Sequence, residues 1–191
     1  MQFKYSIRYP FLLLLLLFSH VALAFQTSAN VGSTRPVAAS GSLEVAFTPG
    51  QDAAGLIIET IANARHQILV QAFSFTHDGI AQALVAAHHR GVEVKLIADR
   101  EQTQQMGHGQ VPVMAAAGVA VWLDGEHQSA HNKIMVLDGD TVVTGSYNFT
   151  KAAQFKNAEN VLVIHGNSAL AQQYQANWQR HLQHAQPFAA N

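Results

Sequence analysis

Residues 131–148 read HNKIMVLDGDTVVTGSYN, two apolar runs either side of an Asp-Gly-Asp turn. The β-branched content and the glycine-centred break predict a β-hairpin with its turn at Gly139. Successive side chains on a strand alternate between faces, so His131 shares a face with Lys133, and Ser146 shares one with Asn148. A turn centred near Gly139 sets position 131 opposite about 147 and position 133 opposite about 145. The open end of the hairpin then collects an imidazole, a cation and two neutral hydrogen-bonding groups. Such a set suits a phosphodiester. A cation and an amide can hold the non-bridging oxygens, where charge accumulates as phosphorus becomes five-coordinate, and a neutral imidazole can attack the phosphorus.

These residues resemble a known signature. The run His131-x-Lys133-x4-Asp138-x6-Gly145-Ser146-x-Asn148 is similar to the HxK(x)4D(x)6GSxN pattern of the phospholipase D superfamily, with every fixed position filled. The resemblance implies that His131 is the nucleophile, that Lys133 and Asn148 bind phosphate, and that Ser146 supports them. Glu159, in the following "NAEN", resembles the acid that hydrogen-bonds and orients the catalytic histidine in this family. Asp138 falls at the turn, away from the cluster, and is expected to fix the hairpin through its own backbone bonds. Family members bring two such histidines to one phosphate, and this chain carries a single HxK. The resemblance therefore implies a homodimer with the site on a twofold axis.

Around the hairpin, strand-length apolar runs (43–48, 67–73, 92–98, 119–123, 160–164) alternate with helix-period stretches (53–64, 80–90, about 112–117, 168–184). This predicts an α/β fold, a mixed and largely parallel β-sheet flanked by helices on both faces, compatible with the superfamily. Residues 99–105 read as a polar turn. No glycine loop of the GxGxxG or Walker type follows a strand, so no nucleotide cofactor is expected.

The N-terminus has Lys4 and Arg8, then FLLLLLLF, then VALA. A charged head, an apolar middle of about 15 residues and an A-x-A exit predict a secretory signal peptide over 1–24, too short for a spanning helix. Small polar residues follow over 25–42 as a flexible leader, the domain is expected over 43–185, and 186–191 form a tail. The chain has no cysteine, so an exported product relies on its core alone. A periplasmic or secreted bacterial protein without stable membrane association fits this.

The formal charge of the chain is −1, and removing Lys4 and Arg8 with the signal leaves −1 − 2 = −3. A polyanion must then be met by a local cluster rather than by a basic surface. Arg100, Lys151 and Lys156 are candidates to track a nucleic-acid backbone, and His127 to line the substrate path. The stretch DGEHQSAH (124–131) invites a metal reading through His127 and His131, but it lacks the HExxH order and would occupy the nucleophile, so no metal is expected. Trp122 and Trp178 read as core. In resemblance the chain is similar to small, single-motif exported endonucleases of the superfamily. The expected activity is metal-independent, sequence-nonspecific hydrolysis of nucleic acid, DNA before RNA, through a phosphohistidine. A lipid phosphodiesterase and a non-catalytic polyanion-binding dimer are the alternatives.

Overall fold

The computed structural model describes residues 34, 36–107 and 109–189. The expected signal peptide and most of the leader lie outside them. The described chain runs β1 (Ser42–Thr48), α1 (Ala53–Asn63), β2 (Gln67–Ala72), α2 (Asp78–His89), β3 (Glu93–Asp99), α3 (Arg100–Gln105) and α4 (Val111–Ala116). It continues with β4 (Ala120–Asp124), β5 (Lys133–Leu137), β6 (Thr141–Gly145), α5 (Lys151–Phe155), β7 (Glu159–His165), α6 (Ser168–Leu182) and β8 (Gln186–Pro187).

All the described helices but α4, which starts with a proline in its first turn, begin where a side chain takes up a free amide. Asp52 accepts from Gly55 N, His77 from Ile80 N, Asp99 from Gln102 N, Thr150 from Ala153 N and Asn167 from Leu170 N. Each cap satisfies a donor that has no partner inside its helix. The Asp99 cap converts the expected polar turn at 99–105 into α3.

All strands form one sheet in the order β1-β7-β6-β5-β2-β3-β4-β8. The mixed sheet with helices on both faces is as the sequence predicts. Parallel pairing, however, is confined to β2–β3 and β3–β4, and the other five pairings are antiparallel. The sheet is less parallel than the alternation of elements suggests, because β5 returns against β2 and β1 closes the far edge against β7. The stretch expected as a tail adds β8 to β4. The end of the leader is tethered too, with Ser40 Oγ donating to Gly166 O and Ala38 O accepting from Asn167 Nδ2.

One face carries the larger core, where Ile57 and Ile61 of α1, Ile80 and Leu84 of α2 and Met114 of α4 meet Val70, Leu96, Met135, Val143 and Val163 of the sheet. On the other face α6 packs Ala171 and a fully buried Trp178 against Leu69, Ile97, Ile134, Val136 and Val142. Trp178 Nε1 donates to Val70 O at 2.9 Å, so its polar edge is satisfied inside the core. No helix among the described residues is long and apolar enough to cross a membrane.

Asp138 shows what fixes the hairpin in this sheet. Its carboxylate does not bond its own hairpin but accepts the amides of Arg65, His66 and Gln67 at 2.8, 2.8 and 3.0 Å, holding the α1–β2 connection. Its structural role is therefore long-range rather than local. Burial opposes its charge, but the three amide donors outweigh that and hold the carboxyl below the usual range. A depressed folded-state pKa contributes stability that is present above the ordinary Asp value of about 3.9 and is lost as pH falls. Asp138→Ala is expected to cost about 3 kcal/mol, read as a lower urea midpoint at unchanged m-value. The difference from the parent should shrink toward acid pH.

Candidate active site at the open end of the hairpin

Met135 pairs with Val143 and Leu137 with Thr141, so the register, continued outward, sets Lys133 opposite Gly145 as the turn predicts. Tyr147 and Phe149 are driven into the core, each 1% exposed, and alternation leaves Ser146 and Asn148 at the rim. Gly145 makes the bend possible. Its φ is +153°, and a Cβ there would meet Asn160 O at 2.2 Å. Beyond it the Ser146 and Tyr147 amides both donate to that same Asn160 carbonyl.

His131 is exposed, and its ring rests on Phe73 with centroids 4.4 Å apart. Lys133 is buried; its Nζ donates to His131 O at 2.7 Å and lies 4.9 Å from the centre of the Phe73 ring. Burial pushes the Lys133 ammonium down to about 8, against the opposing pull of Glu159 and Asp99. A buried ammonium held beside the His131 carbonyl is a strong, fixed attractor for an anion.

Ser146 Oγ donates to Glu159 Oε2 at 2.6 Å and accepts from the amide and side chain of Asn160. The other Glu159 oxygen accepts from Asn157 at 3.0 Å. Both carboxylate oxygens are thus engaged by their own chain, and no hydrogen bond to His131 of the same chain is formed among the described residues. Asn148 Oδ1 is buried without a partner among the described residues. A buried acceptor with no donor is costly in a finished core and suits a site where a ligand or water supplies one.

Two contributors are not legible as such in the sequence. Phe73 lies just past β2 and reads as one more core residue, yet it is the platform for both His131 and Lys133. Asp99 is buried and does two jobs: Oδ1 caps α3, and Oδ2 accepts Ala130 N at 2.8 Å, pinning the residue before His131. Its partner lies 31 positions away, so only the fold reveals it.

Three residues expected to bind substrate are engaged by other groups of the chain. Lys151 pairs with Asp78 at 3.1 Å, and the Arg100 guanidinium packs over Gly125. His127 joins Asp124, His181 and His184, a cluster that excludes His131. Lys156 is exposed at the end of α5.

Residues 57–182, which include the whole site, match the family described as cardiolipin synthase, PLD-like domain. The chain belongs to the phospholipase D superfamily. A phospholipase D of Rickettsia bellii is 38% identical over 132 residues, 69% of this chain and 65% of that relative, so the match spans just under two thirds of the relative's length. A mitochondrial cardiolipin hydrolase of Xenopus tropicalis is 32% identical over 124 residues, 63% of this chain and 59% of that one. Among solved structures, the phospholipase D family member Nuc from Salmonella typhimurium is 35% identical with a TM-score of 0.73, covering 77% of this chain and 97% of its own. NucT from Helicobacter pylori, at 23% identity and a TM-score of 0.71, shares the fold. The signature of this superfamily therefore sits on a sheet of the superfamily's own architecture.

Lys133 is charged below about 8 and neutral above it. Binding of a simple dialkyl phosphate, whose single charge is constant between about pH 6 and pH 10, should weaken as pH rises through about 8. Lys133→Arg should bind less tightly at neutral pH but lose that alkaline drop, because guanidinium keeps its proton. Calorimetric titration of both proteins across the range reads the difference.

Proposed function

We propose that the protein hydrolyses nucleic-acid phosphodiesters without a metal in the reaction, through a covalent phosphohistidine, at a site shared by two copies of the chain. The observation that carries the reading is the buried Lys133 clamped to the His131 carbonyl at the open end of the hairpin. In this reading a neutral His131 attacks phosphorus while the Lys133 ammonium offsets the charge of the non-bridging oxygens and Asn148 Nδ2 donates to them. The leaving oxygen takes a proton from the His131 of the partner subunit. That second imidazole then removes a proton from water, and the water displaces phosphate from the first.

Support for two copies comes from the sequence and from the surface. The chain has one HxK motif, and Leu43, Val45 and Phe47 stand 67%, 52% and 57% exposed along β1. Phe47 pairs with Asn160, whose amide donates to Ser146, so this apolar strip runs up to the edge of the site. Such a row on an edge strand favours a covering partner. The orienting role expected of Glu159 then acts across the twofold axis, on the partner subunit's His131.

Nucleic acid is favoured over lipid because the catalytic rim is polar and the fold matches nearly all of Nuc. The relatives called phospholipase D and mitochondrial cardiolipin hydrolase support the lipid reading. Purified protein in chelator should nick supercoiled plasmid and leave phosphatidylcholine and cardiolipin vesicles intact. Head-group release with intact plasmid would overturn the nucleic-acid reading. His131→Ala should abolish turnover, and Lys133→Ala should lower it by about 10³-fold. Mixed dimers of parent and His131→Ala chains should be inactive. If they turned over at half the parental rate, the two chains would work independently.

A further inference from the structure

We propose that Asp124, His127, His181 and His184 form a structural zinc site, separate from the catalytic residues, that staples the C-terminal end of α6 to the loop leading into His131. Each residue offers one donor atom, and the four donors lie within 4.8 Å of one another. Asp124 Oδ2 is 2.7 Å from His181 Nδ1, 3.3 Å from His184 Nε2 and 3.3 Å from His127 Nδ1. Tetrahedral zinc with bonds of about 2.0–2.2 Å separates its donors by about 3.3 Å. Oδ2 already stands at that separation from the His127 and His184 nitrogens; the 2.7 Å His181 edge has to open by about 0.6 Å and the nitrogen–nitrogen edges have to close.

The local structure holds these groups on both sides. Asp124 ends β4 and is 1% exposed, and His127 follows three residues on in the loop. The last turn of α6 carries His181, and the chain continues to bond His181 O from the His184 and Ala185 amides, so the two imidazoles share one side of that turn. β8 then pairs with β4 immediately beyond. The His127 and His181 rings are 4.9 Å apart, and the His181 and His184 rings 5.4 Å.

His127 Nδ1 lies 3.3 Å from both carboxylate oxygens, so three imidazole nitrogens crowd a buried carboxylate that also accepts the Glu126 amide. A cation in place of the converging protons satisfies all four groups together, with loss of those protons to solvent. Imidazole and carboxylate donors suit zinc, and no cysteine is needed. The site is closed by four protein ligands, as structural zinc sites are. Its consequence is mechanical. Asp99 holds Ala130 at one end of the 125–130 loop, and the zinc would hold His127 near the other, fixing the approach to His131.

The test is zinc binding by protein first stripped with chelator and dialysed. One Zn2+ per chain should bind, raising the melting temperature by about 5 °C or more in excess metal. Co2+ should give the intense visible bands of a tetrahedral ion. His127 is 46% exposed and His184 30%, so the double variant His127→Gln/His184→Gln keeps the buried Asp124–His181 pair and should fold. It should bind Zn2+ at least about 100-fold more weakly, since loss of a ligand costs more than loss of a group behind one. His131→Ala should bind Zn2+ as the parent does, which separates this site from the proposed hydrolysis. Equal Zn2+ affinity in parent and double variant, or loss of binding in His131→Ala, would overturn the proposal.

Discussion

β5 runs antiparallel between β6 and β2, and the pairing of Ala72 with Lys133 brings that ladder up to the point where the site begins. An isolated hairpin would leave the Lys133 side chain in water. Zipped into the middle of an eight-stranded sheet, it is sealed beneath Phe73, and the residues just beyond the ladder are presented at one rim. The burial of Lys133 lowers the affinity of its amine for a proton, yet below about 8 the charge persists in a dry setting. Exposed lysines attract phosphate weakly because water and salt screen them. The same burial that destabilises the free ammonium strengthens its hold on a bound anion.

Much of this was legible in the sequence where the determinants are local. The 131–148 alternation and the Asp-Gly-Asp turn fix a register that the structure reproduces, and the helix periods of α1, α2 and α6 are plain in their apolar spacing. Pairing between distant strands was not legible. A run such as VLVI carries no record of the direction of its neighbour, so the parallel share of the sheet was overestimated. The polar run after Asp99 reads as a turn because its helix has no buried residue, and the cap that starts it is a single carboxylate.

The site divides in the same way. His131, Lys133, Ser146 and Asn148 lie within 18 positions of one another and are positioned by one hairpin. Asp138 was legible as structural but not in its means, because the amides it binds are some 71 to 73 positions upstream. Asp99 and Phe73 act through neighbours that only tertiary folding supplies. Lys151 shows the converse. A cation close in sequence to a motif has several carboxylates and backbones within its reach, and Lys151 is engaged by Asp78 instead.

His131, the proposed nucleophile, is the least restrained member of the group. His131 is exposed and meets Phe73 on one side, while the carboxylate expected to orient it is committed to Ser146 and Asn157. What the chain does fix is the backbone on either side: Asp99 takes the Ala130 amide, Phe73 N donates to Asn132 O, and Lys133 Nζ donates to the carbonyl of His131. The main chain is therefore set before substrate arrives, and the imidazole keeps rotational freedom about its own bonds. For a proposed nucleophile that must alternate between attacking phosphorus and carrying a proton, that division is chemically apt. A rigid main chain supplies proximity, and the last degree of freedom is left for the bound substrate, and the proposed second copy of the chain, to close.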